Sequence, residues 1–170
     1  MPAHNYFEFV TEWTVDGTLA EVNSVLKNVE GFPRWWRPVY ISARIADPGE
    51  PNGVGRRVEF ATRGFLPYVL HWQLRVMQSR EPFGFTFGAS GDLVGVGVWD
   101  LQPDGTRVKL RLDWKVRAHK AVIRVISFIS RSMISRNHAW AMAKGQGGLQ
   151  AEILRQRLVS GRSSSGRLQT

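Results

Sequence analysis

The chain contains no cysteine. That excludes disulfide staples, thiolate metal sites and a cysteine nucleophile. It has no apolar run of about 18 residues, so no spanning helix is expected. The opening residues, MPAHNYFEFV, lack a basic stretch followed by an apolar one, which is the form of a secretory signal. These absences make the cytoplasm the expected compartment.

Other chemistries are missing as well. The four histidines, His4, His71, His119 and His138, are scattered without metal-ligand spacing, so no metal and no cofactor is expected. Asp100 and Asp113 lie near strand ends and are expected to face outward, which leaves no carboxylate pair. GVGVW falls within a strand pattern and opens no helix, so it is not a phosphate-binding loop. Ser127, Ser130, Ser132 and Ser135 form no nucleophile elbow.

What is present fits one globular domain. The 170 residues are 43% hydrophobic and 22% charged. The net charge of +9 is uneven: nine Lys or Arg stand against one acid between Arg107 and Arg136. Arg155, Arg157, Arg162 and Arg167 follow in a stretch without acids. A basic surface of this kind favours acidic partners or is simply a solvated face. Nucleic acid is an unlikely partner, because no outward aromatics interleave with the basic strand face to stack bases.

The patterning is clear along most of the chain. FEFVTEWTV (7–15) alternates, with Phe7, Phe9, Trp13 and Val15 on one face, and predicts a strand. Leu19, Val22, Val25 and Leu26 recur at helical spacing, with Asp16 or Thr18 available as a cap and Gly31 as a stop. FPRWWRP (32–38) predicts a short aromatic turn or helix. Strands are expected at 39–47, 56–62, 68–78, in two pieces over 83–101, and at 106–116. Asp-Gly in QPDGT marks a hairpin before the last strand. There Val108, Leu110, Leu112, Trp114 and Val116 face one way and Arg107, Lys109, Arg111 and Lys115 the other. One apolar face and one polar face predict an antiparallel sheet whose apolar face needs a cover.

The cover is the helical C-terminal region. Around RNHAWAMAKGQGGL (136–149), His138 shares a stripe with Ile134, Ala141, Met142, Gly145, Leu149 and Ile153. Trp140, Ala143, Gly147, Ala151, Leu154 and Leu158 form a second stripe opposite, which predicts a helix surrounded by protein. A single helix over 119–158 would span ~60 Å, about twice a small domain. A break near Ser130–Ser135 is therefore expected, giving helices at about 119–131 and 134–158. The first would be basic on one side and aliphatic on the other. Such a helix suits a flap over a cavity mouth, an anionic membrane contact through Lys120, Arg124 and Arg131, or plain packing. The expected domain is 1–158, followed by a disordered basic tail at 159–170.

These segments in this order resemble a known family. FPRWWRPVY, GVG, LPYVLHW, GDLVGVGVWDL, the DWKV strand end and RNHAWAMAKGQGGL are similar to the START-related SRPBCC superfamily, in particular its polyketide cyclase/dehydrase members. The resemblance covers about residues 5–158. It implies an α+β helix-grip fold: a curved antiparallel β-sheet wrapped around a long C-terminal helix, with an internal hydrophobic cavity. It also implies an apolar ligand such as a lipid, sterol or polyketide, and in some members cyclase or aromatase activity. The family often carries a proline before the last helix, where this chain has SRSMIS.

The candidate site follows. His138 would be a neutral acid or base, a hydrogen-bond partner for a ligand carbonyl, or a core histidine satisfied by the protein. Trp13, Tyr68, Trp72, Phe85, Trp99, Trp114 and Met142 are candidate cavity lining, though core and cavity use the same residue types. Asn137 would flank the cavity or anchor a nearby loop. Gly95 and Gly97 share a face with Trp99 and would leave room beside its indole.

Overall fold

The structure is a computed structural model that describes residues 5–119, 121–122 and 129–165, the last four of these by backbone alone. Seven strands form one antiparallel sheet: β1 (Tyr6–Asp16), β2 (Tyr40–Asp47), β3 (Arg57–Thr62), β4 (Leu70–Ser79), β5 (Gly84–Gly91), β6 (Leu93–Asp104) and β7 (Arg107–Ala118). Their order is β1-β7-β6-β5-β4-β3-β2, so every neighbour except β1–β7 is also a neighbour in sequence. The β6–β7 hairpin turns at Gly105, whose φ of +63° suits the expected Asp-Gly turn.

Helix α1 (Leu19–Lys27) and α2 (Phe32–Trp35) fill the crossing from β1 to β2, joined by a 3-10 turn at Val29–Gly31. Thr18, not Asp16, caps α1. Its hydroxyl accepts from the Glu21 N–H, and the Glu21 carboxylate accepts from the Thr18 N–H. Glu21 also takes a bidentate pair from Arg157 at 2.7 and 2.8 Å, which ties α1 to the last helix.

That helix, α3, runs from Arg131 to Ser165. The break expected near Ser130–Ser135 is corrected: residues 131–135 are helical, the helix begins directly after Ser130, whose hydroxyl accepts from the Met133 N–H, and residues 120 and 123–128 of the expected first helix lie outside the described residues. A serine cap thus starts the helix. The far end corrects the predicted stop at Leu158, since the helix continues through Ser165 into the segment expected to be disordered. Extending an existing helix costs far less than nucleating one, so poor helix formers can follow a buried stretch.

The two-sided apolar pattern of α3 is also corrected. Ala141, Met142, Leu149 and Ile153 are buried against the sheet and the short helices. Ala143, Gly147, Ala151, Leu154 and Leu158 are exposed. The His138 stripe faces inward, and of the opposite stripe only Trp140, half-buried against the core and the Phe65 ring, meets protein. Glu152 belongs to that stripe and is 3% exposed, held by Arg34 at 2.6 Å, Arg155 at 2.8 Å and Gln156 at 3.2 Å. These partners keep its carboxyl down at about 2 against the desolvation that would raise it.

No described helix is long and apolar enough to cross a membrane.

Candidate functional site

Between the concave sheet and the helices lie two adjoining compartments, of about 90 and about 120 Å³. Trp36, Tyr40, Trp72, Trp114 and Met142 border both and form the partition between them. The smaller opens past α1 and the β4–β5 turn and is lined by Phe85, Phe87 and Trp99. The larger lies between β1, the β3–β4 loop and the start of α3, and includes His138, Asn137, Tyr68 and Val122. Each approaches the ~150 Å³ of an engineered cavity that holds benzene.

Tryptophans build the partition, and the fold fixes most of them by hydrogen bonds. The Trp36 indole donates to the Ala141 carbonyl at 2.8 Å, and the Trp72 indole to the Thr62 hydroxyl at 3.0 Å. Two glycines of α3 allow the aromatic segment to come this close. A methyl group on Gly145 would overlap the Trp36 ring and lie 2.6 Å from Trp13, and one on Gly148 would overlap the Trp35 carbonyl oxygen. Gly147 between them faces open space.

His138 sits partly buried on the inward face of α3. Its ring stacks on Phe9 with centroids 3.9 Å apart and meets Trp114 edge-on at 6.1 Å. Nε2 lies 3.4 Å from the Thr11 hydroxyl. Desolvation pushes its pKa down to about 4, so the imidazole is neutral at neutral pH. Burial also raises the phenols of Tyr40 and Tyr68, which remain protonated.

Asn137 both lines the larger compartment and anchors the loop that closes it. Its carbonyl oxygen accepts from the Leu66 N–H at 3.2 Å, and its carboxamide lies where a side chain on Gly64 would be. Leu66 is buried, so losing this acceptor strands a donor. Asn137→Ala should cost about 1–2 kcal/mol and speed amide exchange across residues 64–69. Unchanged exchange there would show that the loop holds itself.

Of the sequence-predicted lining, Tyr68, Trp72, Phe85, Trp99, Trp114, Asn137, His138 and Met142 all border one compartment or both. Trp13 borders neither. It is core, backing Trp36 and Trp99 with ring centroids 5.2 Å from each. The room expected beside Trp99 is also corrected: the Phe87 ring fills the space over Gly97, and the Lys115 carbonyl closes on Gly95. Sequence reasoning missed Trp36, Tyr40, Phe9 and Thr11 as site residues. The WW pair and the inward phase of β1 were visible, but not which of their side chains meet the histidine.

His71, Asp100 and Asp113 face outward as expected, the two aspartates paired with Arg80 and Arg111. Among the described residues no three His, Asp or Glu side chains gather as metal ligands would. Val122 seals one wall of the larger compartment; Lys120 and residues 123–128, including Arg124, lie outside the described residues. The Arg131 guanidinium lies 4.6 Å over the Phe7 ring and donates to the Tyr6 carbonyl.

A curved antiparallel sheet closed by a long C-terminal helix over an aromatic cavity defines a helix-grip protein of the START-related SRPBCC superfamily. More narrowly, residues 6–153 match the family described as polyketide cyclase / dehydrase and lipid transport, and the chain belongs to it. Comparison with curated protein sequences gives no match. Solved structures share the fold at low identity. TTHA0849 from Thermus thermophilus is 14% identical with a TM-score of 0.69, over 88% of this chain and 99% of that one. The Zhui aromatase/cyclase from Streptomyces sp. R1128 is 17% identical with a TM-score of 0.68, over 89% and 95%. A START superfamily protein from Mycobacterium smegmatis is 13% identical with a TM-score of 0.68, over 89% and 99%.

Proposed function

We propose that this protein binds a hydrophobic small molecule in the two-compartment cavity, as a carrier or sequestering protein. The observation that carries this reading is the character of the cavity wall. It is aromatic and aliphatic, its histidine is neutral, and its charged groups stand at the rims. Burial of apolar ligand surface, worth roughly 25 cal/mol per Å² before ordering costs, would drive binding. The family description, which includes lipid transport, agrees with it.

A second reading is a cyclase or dehydratase in which His138 moves a proton. Its support is the imidazole in the wall of the larger compartment beside the Thr11 hydroxyl. Against it stands the imidazole's pKa of about 4, far from the neutral range where a general acid or base works best. Among the described residues no carboxylate meets the ring to orient it.

Native mass spectrometry of the purified protein, with organic extraction of what is released, tests the first reading. A reproducible apolar adduct is the expected result. His138→Ala then separates the two. A carrier keeps most of its affinity for the extracted compound, whereas an enzyme retains binding and loses turnover by ~10²–10⁴-fold.

A further inference from the structure

One end of the protein gathers exposed apolar side chains from two elements. Phe65 on the β3–β4 loop and Met133 on the first turn of α3 are each 45% exposed, and Val69 on the same loop is 43% exposed. The Phe65 ring meets Trp140 edge-on with centroids 6.0 Å apart. Met133 lies two turns before Trp140, on the same side of the helix. Asn137, between them, holds the loop at Leu66. Loop and helix therefore present one patch, beside the larger compartment that Arg63, Tyr68, Ile134 and Asn137 line.

The charge around this patch has one sign. No Asp or Glu stands between Glu59 and Glu81, and none between Asp113 and Glu152, an interval that holds seven Lys or Arg. Arg63, Arg136 and Lys144 are exposed, and none of them enters an ion pair among the described residues. The Lys144 ammonium lies 5.7 Å over the Trp140 ring, so a cation sits at the edge of the apolar group. Apolar projections rimmed by cations mark an interaction surface rather than a solvated face.

We propose that the β3–β4 loop and the first turns of α3 dock on an anionic lipid surface, with Phe65, Val69 and Met133 entering the interface and Arg63, Arg136 and Lys144 meeting lipid phosphates. A lipid surface supplies both partners at once, phosphate for the cations and acyl chain for the apolar groups. An acidic protein would answer the cations but would still have to bring an apolar patch of matching shape. Arg131 is committed to the Tyr6 carbonyl and the Phe7 ring, so the contact is assigned without it. The docking stands apart from the question of what the cavity holds.

Sedimentation of the full chain with vesicles of phosphatidylcholine, alone or mixed with phosphatidylglycerol, tests this. The mixed vesicles should bind at low salt and the pure ones should not. Raising the salt from about 0.05 to about 0.5 M should weaken binding by about tenfold or more. Arg136→Gln with Lys144→Gln should weaken it by about 30-fold, about fivefold per cation. Phe65→Ser with Met133→Ser should weaken it by at least about tenfold. Val96→Ser removes an exposed apolar side chain from the sheet and should change nothing. No binding to the mixed vesicles at low salt overturns the proposal and redirects this face to an acidic protein. Binding that the cation pair weakens and the apolar pair does not overturns insertion at this patch. Binding that survives both pairs lies elsewhere on the chain and overturns it as well. Should the apolar variant not fold, lipids brominated in the acyl chain decide. They should quench tryptophan emission in the unmodified protein more than in Trp140→Phe, and equal quenching overturns the placement.

Discussion

Gly148→Ala should destabilise the protein by about 2–4 kcal/mol, although the change improves helix propensity. Alanine is favoured over glycine in a helix by about 1 kcal/mol, so helix physics alone predicts a gain. The environment reverses the sign. The added methyl would overlap the Trp35 carbonyl oxygen, and backbone on both sides leaves little freedom to relax. To make room, α2 must move away from α3, and with it Trp36 and the partition of the cavity. Gly145→Ala should follow the same direction at lower cost, because the obstacles are the rings of Trp36 and Trp13, which can tilt. Gly147→Ala is the internal control: nothing lies within 4 Å, so it should stabilise by about 0.5–1 kcal/mol. Urea unfolding of the three variants measures this. A gain at all three positions would mean that α3 does not press on α2 as described.

Acid should weaken the protein through His138 before it weakens it through its carboxylates. The folded pKa of His138 is about 4 and its ordinary value 6.5, so the shift is downward for a base. Above pH 6.5 both folded and unfolded chains hold the neutral ring and nothing is lost. Between pH 6.5 and about 4 the unfolded chain takes a proton that the folded chain refuses, and stability falls as pH falls. The full loss is about 3 kcal/mol at one pKa step per 1.36 kcal/mol. Glu21 and Glu152 have folded values of about 2 against 4.5. Their stabilisation is present above pH 4.5 and is lost below it, as pH falls towards 2. The His138 window therefore lies above the carboxylate window, and the two overlap only between about pH 4 and 4.5. His138→Phe keeps the stacking on Phe9 and removes the proton site. Relative to this variant, the unmodified protein should lose about 3 kcal/mol between pH 7 and 4, read from urea unfolding at pH 7, 5 and 4. Parallel curves would mean that the ring is solvated and can charge in place.

Local rules made much of the fold legible. Alternation in 7–15 and 106–116, the Asp-Gly hairpin and the amphipathic run 19–26 each act over a few residues, and each forms the element expected. The series of segments from FPRWWRPVY to RNHAWAMAKGQGGL was enough to place the chain in its superfamily. The place of His138 on the stripe of α3 that holds Ala141, Met142 and Gly145 was also readable, and that stripe does turn toward the sheet.

Tertiary contact decided the rest. Both faces of α3 read as apolar, and only the position of β1 and α2 sends one inward and leaves Leu154 and Leu158 in solvent. Trp13 and Trp114 read alike on their strands. The sheet's curvature buries one behind Trp36 and turns the other into the partition. The three glycines of GQGG carry one letter and three different roles, set by what stands opposite each: ring, solvent or carbonyl. A sequence records which side chain each residue brings. It does not record the distance to the partner across the core, and that distance makes one tryptophan core and sets another in the cavity wall.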